Sequence, residues 1–525
     1  MTPPDPAAAA ADTVKATTTG KPEGTLIDVA IEKVYLWEIE DLKTRFPSCH
    51  VKNRMKNIRS AHQKNPYFFP NHVKRQSMIR TTAEEEEEAT KITDYDSPIV
   101  DDESEESGGC DYSQYMSPHT CILGDIVRTP HQAPYTRAYV RAGPSEYLHF
   151  DPDHQEEMNA AIVTCGGLCP GLNNVIREIV NTLCTAYGIN GTVWGIRGGY
   201  HGFYDFEQYH PVVLTPQLVA NIHHEGGTVL GSSRGGFDLD KILTFLEKKK
   251  ISTLFVIGGD GTHRGAFKIH EGCMAKGLNV AVAGIPKTID NDIDHIDRSF
   301  GFESAVEAAQ AAIRSAKTEA ICNMPNGVGI VKLMGRSAGY IAAHSTMASG
   351  DVDLCLLPEV PLVLKGPQGC LPHIRRRVQE QGYAVIIVAE GAGEDVLGVS
   401  AEKDASGNKK LPPIGNFLKS QVEEYFHEQK DVATVKYIDP SYTIRSVMAN
   451  ASDSYYCMRL GQYAVHGAMA GYTGFSVGLC NNRMVFLPIP KLVATSPRSM
   501  NPHGRTWERI LAQTRQPNTV VAKEH

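Results

Sequence analysis

Residues 255–266, FVIGGDGTHRGA, decide the fold of this chain. An apolar run ends in two glycines, and an aspartate, a third glycine and a threonine follow. The run predicts a buried strand, and the glycines predict a tight turn into a helix. Because the N-terminus of a helix favours anions, the turn also predicts a phosphate site with Asp260 near a metal ion. A tight turn without a ligand is the alternative.

Similar apolar strands recur from Met158 onward and set the fold class. They are MNAAIVTCGG, GTVWGIRGGY, TLFVIGGDGT, NVAVAGIPKTID, GVGIVKLMG and YAVIIVAEGAG. Helical segments such as FESAVEAAQAAIRSAKTEA lie between them. Continuous apolar strands alternating with helices predict an α/β protein with parallel sheets covered on both faces. Ligands of such folds bind at the carboxyl ends of strands, where these glycine-rich turns lie, so we expect one shared site.

Composition limits the other classes of function. The chain has 525 residues, 42% of them hydrophobic, which predicts two or three globular domains. A formal net charge of -8 argues against nonspecific binding to nucleic acid. No apolar run is long enough to cross a bilayer, and the first residues contain no apolar signal core. We therefore expect a cytoplasmic protein with neither nucleic acid nor membrane as a partner, and Cys165 and Cys169 as reduced cysteines.

The first 155 residues differ in texture from the rest. A basic patch, VKNRMKNIRSAHQKN, and the acidic runs AEEEEEA and DDESEES predict a partly disordered extension with short pieces packed on the main body. Ser77, Thr81 and Thr82 lie between basic and acidic blocks. A phosphorylation-sensitive regulatory element and an inert solvated tail are the two alternatives.

Two further turns carry phosphate-binding features. In TCGGLCPGLN, Gly166, Gly167 and Gly171 let the backbone approach a ligand. In GTVLGSSRGG, Arg234 can bind phosphoryl oxygens through its planar guanidinium. Each motif alone has a plain alternative, a tight turn for the first and a surface ion pair for the second.

The stretch GIPKTIDNDIDHIDRSFG carries the most chemistry. Asp290 and Asp292 follow a strand, so one can accept a proton from a hydroxyl while the other lies toward a metal ion. Lys287 would offset charge on a transferred phosphoryl group. A solvated acidic loop is the alternative.

Three later motifs add cations and an acid. KLMGRSAGY contains Arg336, VAEGAG contains Glu390, and KYIDPSYTIRS contains Arg445. The arginines predict binding of a substrate phosphate, and Glu390 predicts hydrogen bonds from sugar hydroxyls. We expect His263 and His295 to face solvent without a catalytic role.

The order of these motifs resembles that of the 6-phosphofructokinase family, in particular its ATP-dependent branch of plants and some protists. The motifs are GGLCPGLN, GSSRGG, GGDGT, PKTIDND, MGRSAG, AEGAG and YIDPSYTIR, and the resemblance covers roughly residues 160–478. It implies two doubly wound, Rossmann-like parallel-sheet domains with the active site between them, plus an N-terminal extension. It also implies that ATP and fructose 6-phosphate give ADP and fructose 1,6-bisphosphate, the committed step of glycolysis, in an allosteric homotetramer.

The resemblance implies a role for each matched residue. The catalytic residues would be Asp290, as the base toward the sugar 1-hydroxyl, together with Arg234 and Lys287, and Asp260 would serve Mg²⁺. The nucleotide would be lined by Gly167, Tyr200, Arg234, Gly235, Gly259, Asp260, Gly261 and Thr262. The sugar phosphate would be held by Thr288, Ile289, Asp290, Met334, Gly335, Arg336, Glu390, Tyr442 and Arg445.

Two positions bear on the phosphoryl donor. Gly261 leaves room for ATP. The resemblance implies that the pyrophosphate-using branch has an Asp at this position. Lys287 is shared with that branch, so a pyrophosphate-dependent fructose 6-phosphate 1-phosphotransferase is the nearest alternative. An NAD or lipid kinase would need only GGDGT, so the motifs PKTIDND and MGR argue against that class of enzyme. A catalytically dead regulatory subunit would have lost Asp260 or Asp290, and both are present.

The chain departs from the bacterial pattern at Gly327. That pattern has an arginine seven residues before the Met of MGR, which reaches into a neighbouring subunit's site. Lys436 is the candidate to replace it.

The resulting division has four parts. They are an N-terminal extension at 1–155, a nucleotide-binding domain at 156–300 completed by about 446–490, a sugar-phosphate domain at 301–445, and a C-terminal tail at 491–525.

Overall fold

A computed structural model describes residues 33–46, 51–52, 115, 120–126, 135–152, 158–398 and 411–520. The basic and acidic blocks of the extension, with Ser77, Thr81 and Thr82, lie outside the described residues.

The larger sheet has ten strands within the described part of the chain. Its inner strands run parallel, from Phe475–Cys480 through to Val193–Ile196. Antiparallel pairings add Arg483–Pro488 on one side and Val212–Leu214 on the other. In spatial order the strands are Lys33–Trp37, Tyr135–Arg141, Arg483–Pro488, Phe475–Cys480, Ala281–Pro286, Ile251–Gly258, Asn159–Thr164, Val193–Ile196 and Val212–Leu214, with Cys121–Leu123 paired to Tyr135–Arg141.

The smaller sheet is parallel throughout. Its four described strands lie in the order Leu354–Leu356, Tyr383–Ala389, Gly327–Leu333 and Thr434–Ile438. Two short antiparallel pairs join Glu40–Asp41 to Tyr472–Thr473 and Val51–Lys52 to Tyr147–Leu148. The predicted α/β class with two parallel-sheet domains is confirmed.

Helices cover the two sheets. The α-helices of the described residues are Leu172–Asn181, Leu239–Lys248, Asp260–Lys276, Phe302–Cys322, Tyr340–Ser349, Cys370–Gln381, Glu394–Leu397, Ile414–Glu428, Ser441–Ser446, Ala451–Met469, Ile489–Thr495 and Arg505–Thr514. Leu42–Thr44, Gly199–Phe203 and Ile222–His224 are 3₁₀ turns, and Thr182–Tyr187 is π-helical. No helix in the described residues combines the length and the apolar character of a membrane span.

Local chemistry explains these elements. The strand Ile251–Gly258 is apolar and buried, and Leu254, Phe255 and Val256 are fully inaccessible to solvent. Burying each such side chain contributes about 1.5–3 kcal/mol. The helix Ala451–Met469 begins at Asn450, whose side chain accepts a hydrogen bond from the backbone N–H of Asp453.

Part of the predicted N-terminal extension belongs to the larger sheet. The strand Lys33–Trp37 pairs in parallel with Tyr135–Arg141. Leu42 is 1% exposed, and the carboxylate of Glu40 lies 2.8 Å from Nε2 of His270. These described pieces therefore pack on the main body.

The segment predicted as a C-terminal tail also packs on the main body. Trp507 and Ile510 are buried within the helix Arg505–Thr514. The Gln516 side chain donates a hydrogen bond to the carbonyl of Cys355, in a strand of the smaller sheet, and accepts one from its N–H. This segment is consequently part of the packed structure up to residue 520.

Candidate active site

Three strands of the larger sheet end at the same level. In the register of the sheet Ile257 lies beside Thr164, and Gly258 lies beside Pro286. The backbone N–H of Lys287 donates to the Gly258 carbonyl at 2.9 Å. The three glycine-rich or acidic turns therefore meet at one edge, as their positions in the sequence predict.

The smaller sheet presents a matching edge. Leu333 lies beside Ala389 in the register, so Met334 and Glu390 leave their strands together. The N–H of Glu390 donates to the Leu333 carbonyl, and the N–H of Gly391 donates to the Gly335 carbonyl at 3.0 Å. Gly335 has φ +127, and a Cβ there would lie 2.5 Å from the Ala338 carbonyl oxygen, so the turn requires glycine.

A cavity of 690 Å³ lies between these two edges. It brings together most of the predicted residues, from both sheets. Those in its lining are Gly167, Tyr200, Arg234, Gly235, Gly259, Asp260, Gly261, Thr262, Lys287, Thr288, Ile289, Asp290, Met334, Arg336 and Arg445.

Three predicted residues are not part of this lining, namely Gly335, Glu390 and Tyr442. Glu390 is nevertheless close enough for its charge to raise the pKa of Asp290. Tyr442 is 73% exposed, with the Arg445 guanidinium 4.7 Å from its ring centre. The structure thus places Tyr442 beside the cavity's arginine, while most of its own side chain faces solvent.

The opening motif forms the start of a helix. Gly259 precedes the helix Asp260–Lys276, so the N–H groups of its first turn have no partner within the helix. A Cβ at Gly261 would meet no atom within 4 Å, which means that this position faces open cavity space. The arrangement provides the first-turn N–H groups and the positive end of a helix dipole for an anion.

Lys287 is a buried cation in this site. Its Nζ donates to the Gly167 carbonyl at 2.7 Å, and only 6% of the residue is exposed. Burial lowers the pKa of Lys287, and Arg234 lowers it further, while Asp290 raises it. The lysine therefore connects the Gly166–Gly167 turn to the acidic loop.

Asp290 is set apart from the other carboxylates by its surroundings. Its Oδ1 is buried and accepts no hydrogen bond from the described residues. Desolvation, followed by the charges of Asp292 and Glu390, raises the pKa of Asp290 from 3.8 to about 8. A carboxylate with an unoccupied buried oxygen and a raised pKa, facing a cavity, has the character of a general base.

Thr288 and Asp292 order the same loop. The hydroxyl of Thr288 donates to Oδ1 of Asp292 at 2.7 Å and accepts from the N–H of Asp290 at 3.2 Å. Asn291, between the two acids, has φ +56 and accepts hydrogen bonds from Ser299. The two aspartates therefore have different partners and can have different tasks.

The residues present fit a magnesium ion. Burial and the charge of Asp292 raise the pKa of Asp260 to about 6, so the two carboxylates act on each other at the cavity. Among the described residues, no group of three or more His, Cys, Asp or Glu side chains could hold a metal ion. Mg²⁺ commonly binds through one or two carboxylates and the phosphates of its substrate, and this donor set provides that number.

Tyr200 is held in the wall of the cavity by contacts to two neighbouring residues. The hydroxyl of Tyr200 donates to the Thr262 carbonyl at 2.8 Å, and its ring meets Phe237 edge to face at 5.3 Å. A Cβ at Gly167 would lie 3.8 Å from a terminal nitrogen of Arg234, so two predicted nucleotide residues are neighbours.

The expectation that His263 faces solvent is wrong. His263 is 2% exposed and hydrogen-bonds through Nε2 to the Ser476 hydroxyl. Burial lowers its pKa to about 4, so the ring is neutral and structural. His295 is partly buried, next to the hydroxyls of Tyr139 and Thr495, and is not in the cavity lining.

Gly166 and Asp292, singled out in the sequence, also line the cavity. The sequence predicts no site role for several other lining residues, namely Cys165, Leu168, Ser233, Phe237, Arg264, Ser337 and Pro497. All of these except Phe237 and Pro497 lie inside a quoted motif, so proximity to a strand end was a usable signal. Pro497 lies far along the chain from every quoted motif and had no such signal.

The structure explains the absence of a side chain at position 327. A Cβ on Gly327 would lie 1.9 Å from the Ala320 carbonyl oxygen, inside the packing of the helix Phe302–Cys322. An arginine therefore does not fit there without movement of the backbone. Lys436 is exposed on the adjacent strand, beside Gly329 in the register.

Comparison with known proteins gives a consistent result. Residues 159–468 match the family model described as phosphofructokinase. An ATP-dependent 6-phosphofructokinase 5, chloroplastic, from Arabidopsis thaliana is 50% identical over 380 residues, 72% of this chain and 69% of that protein. ATP-dependent 6-phosphofructokinase 7 from the same plant is 49% identical, over 73% of this chain and 78% of that one.

A solved structure supports the fold. The pyrophosphate-dependent phosphofructokinase of Marinobacter aquaeolei superposes with a TM-score of 0.57 at 20% identity, over 70% of this chain and 94% of that one. At this identity the likeness concerns the fold alone. Because the family model matches more than half of the chain and both Arabidopsis thaliana relatives are about half identical to it, this chain belongs to the phosphofructokinase family.

Proposed function

We infer that this chain transfers the γ-phosphoryl group of ATP to the 1-hydroxyl of fructose 6-phosphate, giving ADP and fructose 1,6-bisphosphate. Relatives at about half identity are ATP-dependent 6-phosphofructokinases. The single structural observation that carries the proposal is Asp290, whose buried Oδ1 accepts no hydrogen bond from the described residues and which lines a cavity with a helix N-terminus on one side and Arg336 on the other.

In the proposed reaction, Asp290 accepts the proton of the sugar 1-hydroxyl. The freed oxygen forms a bond to the γ-phosphorus while the bond from that phosphorus to the oxygen bridging to the β-phosphate breaks. Lys287 and Arg234 offset the negative charge on the transferred group. The first-turn N–H groups of the helix Asp260–Lys276 bind nucleotide phosphate oxygens.

Asp260, with Asp292 beside it, would hold Mg²⁺. The ion supplies neutralisation of phosphate charge when it is bound. Burial, followed by the charge of Asp292, raises the pKa of Asp260, and a bound divalent cation would act in the opposite direction.

On the acceptor side, the proposal assigns the sugar phosphate to Arg336 and Arg445. Both line the cavity, and Met334 and Ile289 add apolar surface to its walls. Glu390 and Tyr442, outside the lining, would reach the sugar by side-chain movement on binding. Thr288 would help to orient the hydroxyl beside Asp290.

Initial-rate assays on the purified protein test the donor. With fructose 6-phosphate and Mg²⁺, ATP should support formation of fructose 1,6-bisphosphate and pyrophosphate should support little. Equal or faster turnover with pyrophosphate would overturn the assignment of ATP, and turnover with neither donor would overturn the proposed function.

We further propose a cytoplasmic homotetramer, with a regulatory element and an inert tail as the two alternatives for the N-terminal extension. Light scattering measures the mass in solution, and a fully active monomer would contradict the assembly.

A fluorescent fusion of the whole chain tests location, since one relative in Arabidopsis thaliana is named as chloroplastic. The domain boundaries at about 156, 300 and 445 stay predictions, testable by limited proteolysis.

A further inference from the structure

A short segment near the C-terminus, residues 496–500, contacts both halves of the active site. It follows the helix Ile489–Thr495, and its Pro497 lines the cavity. We call these five residues the strap, because the acidic loop lies on one side of them and the Arg336 turn on the other.

On the side of the acidic loop the strap bonds mainly to backbone. The N–H of Arg498 donates to the Asp292 carbonyl at 2.7 Å. Its Nε donates to the Asn291 carbonyl at 3.4 Å. The Ser496 hydroxyl accepts from the N–H of Asp294 at 3.1 Å. These three contacts, two from Arg498 and one from Ser496, thus hold the segment that follows Asp290.

On the side of the Arg336 turn the contacts are equally dense. The Ser499 hydroxyl donates to the Ser337 carbonyl at 3.0 Å, and the Ser499 carbonyl accepts from the hydroxyl of Tyr340 at 3.2 Å. The Arg498 guanidinium lies 5.5 Å from the centre of the Tyr340 ring. Ser337 follows Arg336 directly, so the strap contacts the backbone next to the predicted phosphate ligand.

The Glu359 side chain hydrogen-bonds to both the end of the strap and the turn that follows Arg336. Its Oε1 accepts hydrogen bonds from the N–H of Met500 at 2.8 Å and from the N–H of Gly339 at 2.9 Å. Met500 is 3% exposed, so the end of the strap is buried in the core. One carboxylate oxygen therefore joins the strap to the turn that carries Arg336.

We propose that the strap is a positioning element that sets Asp290 relative to the Arg336 side of the cavity, with Arg498 and Tyr340 as positioning residues. The two loops belong to different sheets, and the strap contacts both within five residues. Because phosphoryl transfer depends on placing the acceptor oxygen against the donor, a small relative shift of these loops would reduce the rate strongly. The kinetic part of this inference rests on the proposed function.

Arg498→Ala and Tyr340→Phe test the proposal from opposite sides. The first removes the contacts to Asn291 and to the ring, and the second removes only the hydroxyl that bonds the Ser499 carbonyl. We expect kcat to fall about tenfold and KM for fructose 6-phosphate to rise, while KM for ATP stays within about twofold, since a misplacement of about 1 Å costs up to ~10²-fold. Arg498→Lys, which keeps a cation over the ring, should recover part of the loss.

The matched control is Arg505→Ala, since that side chain is 85% exposed and forms an ion pair with Glu508 on the same helix. A purely structural role predicts a lower melting temperature and less active enzyme with unchanged KM values, and this result would overturn the proposal. If Arg498→Ala does not fold, the single-hydroxyl change Tyr340→Phe decides by the same criteria.

Hydrogen–deuterium exchange gives a measurement that does not depend on turnover. In Arg498→Ala, amides of residues 291–294 and 337–340 should exchange faster, while those at the start of the helix Asp260–Lys276 should keep the parent rate. Unchanged exchange in both loops would contradict the proposed role of the strap, whatever reaction the protein catalyses. An inactive parent enzyme with the expected exchange pattern would instead count against the proposed function.

Discussion

The ammonium group of Lys287 donates a hydrogen bond to the Gly167 carbonyl oxygen at 2.7 Å. This contact joins two turns that are 120 residues apart in the sequence. The family resemblance implies that Lys287 is shared with the pyrophosphate-using branch. In the structure it orders the protein's own backbone, a task that is independent of the donor, so Gly261 is the better position for testing donor choice.

Gly261→Asp should abolish use of ATP in a folded protein. A Cβ at this position meets no atom within 4 Å, and an acid in the first turn of a helix is favourable, so the fold should be retained. A carboxylate about 4 Å from a phosphate at the protein surface costs up to ~4 kcal/mol, so kcat/KM for ATP should fall at least ~10²-fold. Gly261→Ala is the control and should keep most of the activity. Parent-like ATP kinetics in the Asp variant would disprove the steric and charge argument.

Asp290→Asn should slow turnover by at least ~10²-fold, the lower end for loss of a general base. The amide keeps the shape of the side chain but cannot accept the proton, so ATP binding, measured by calorimetry, should change little. Circular dichroism would confirm that the variant is folded. Turnover near that of the parent in such a variant would remove Asp290 from the mechanism.

Glu390→Gln should shift the acid limb of the pH–rate profile. The raised pKa of Asp290, about 8, keeps this carboxyl protonated in the free enzyme at neutral pH, and so kcat/KM for fructose 6-phosphate should rise with pH. The charge of Glu390 contributes to that rise in pKa. Removing it lowers the pKa of Asp290, and the limb should move to lower pH. A limb that stays in place would show that another group controls the profile.

Stability should respond to pH through the same residue. The native state holds the Asp290 proton more tightly than the unfolded chain does, because burial raises its pKa from 3.8 to about 8. This contribution to stability is therefore complete below pH about 4 and is lost as pH rises through about 8. The melting temperature of Asp290→Asn, relative to the parent, should increase between pH 6 and pH 9. A constant difference across this range would contradict the raised pKa.

Two truncations should separate the described N-terminal contacts from the residues before them. Removal of residues 1–32 keeps every described contact and should leave the melting temperature unchanged. Removal of residues 1–46 deletes the edge strand and Leu42, whose burial contributes about 1.5–3 kcal/mol, and should lower it. Equal melting temperatures for both truncations would show that the edge strand and Leu42 contribute no stability.

The sequence predicts strand ends and glycine-rich turns well because these patterns are local. Phe255 to Gly259 alone indicate a buried strand and a tight turn, and the parallel-sheet rule then gathers such turns at one edge. The strap could not be predicted in this way. Several of its contacts use the N–H groups of Arg498 and Met500, which every residue type except proline offers, and the carbonyl of Ser499, which every residue type offers. Similarly, nothing local distinguishes buried His263 from an exposed histidine.

The order of strands in the two sheets has a consequence for folding. Within the described part of the chain, the strands of the smaller sheet all lie between Gly327 and Ile438. The larger sheet places Phe475–Cys480 and Arg483–Pro488 between Ala281–Pro286 and Tyr135–Arg141, so its two parts stay separate until the last quarter of the chain is available. Closing such long loops is slow because their entropy is lost before the contacts form. The smaller sheet can therefore assemble during synthesis, whereas the larger sheet must wait for nearly the whole chain.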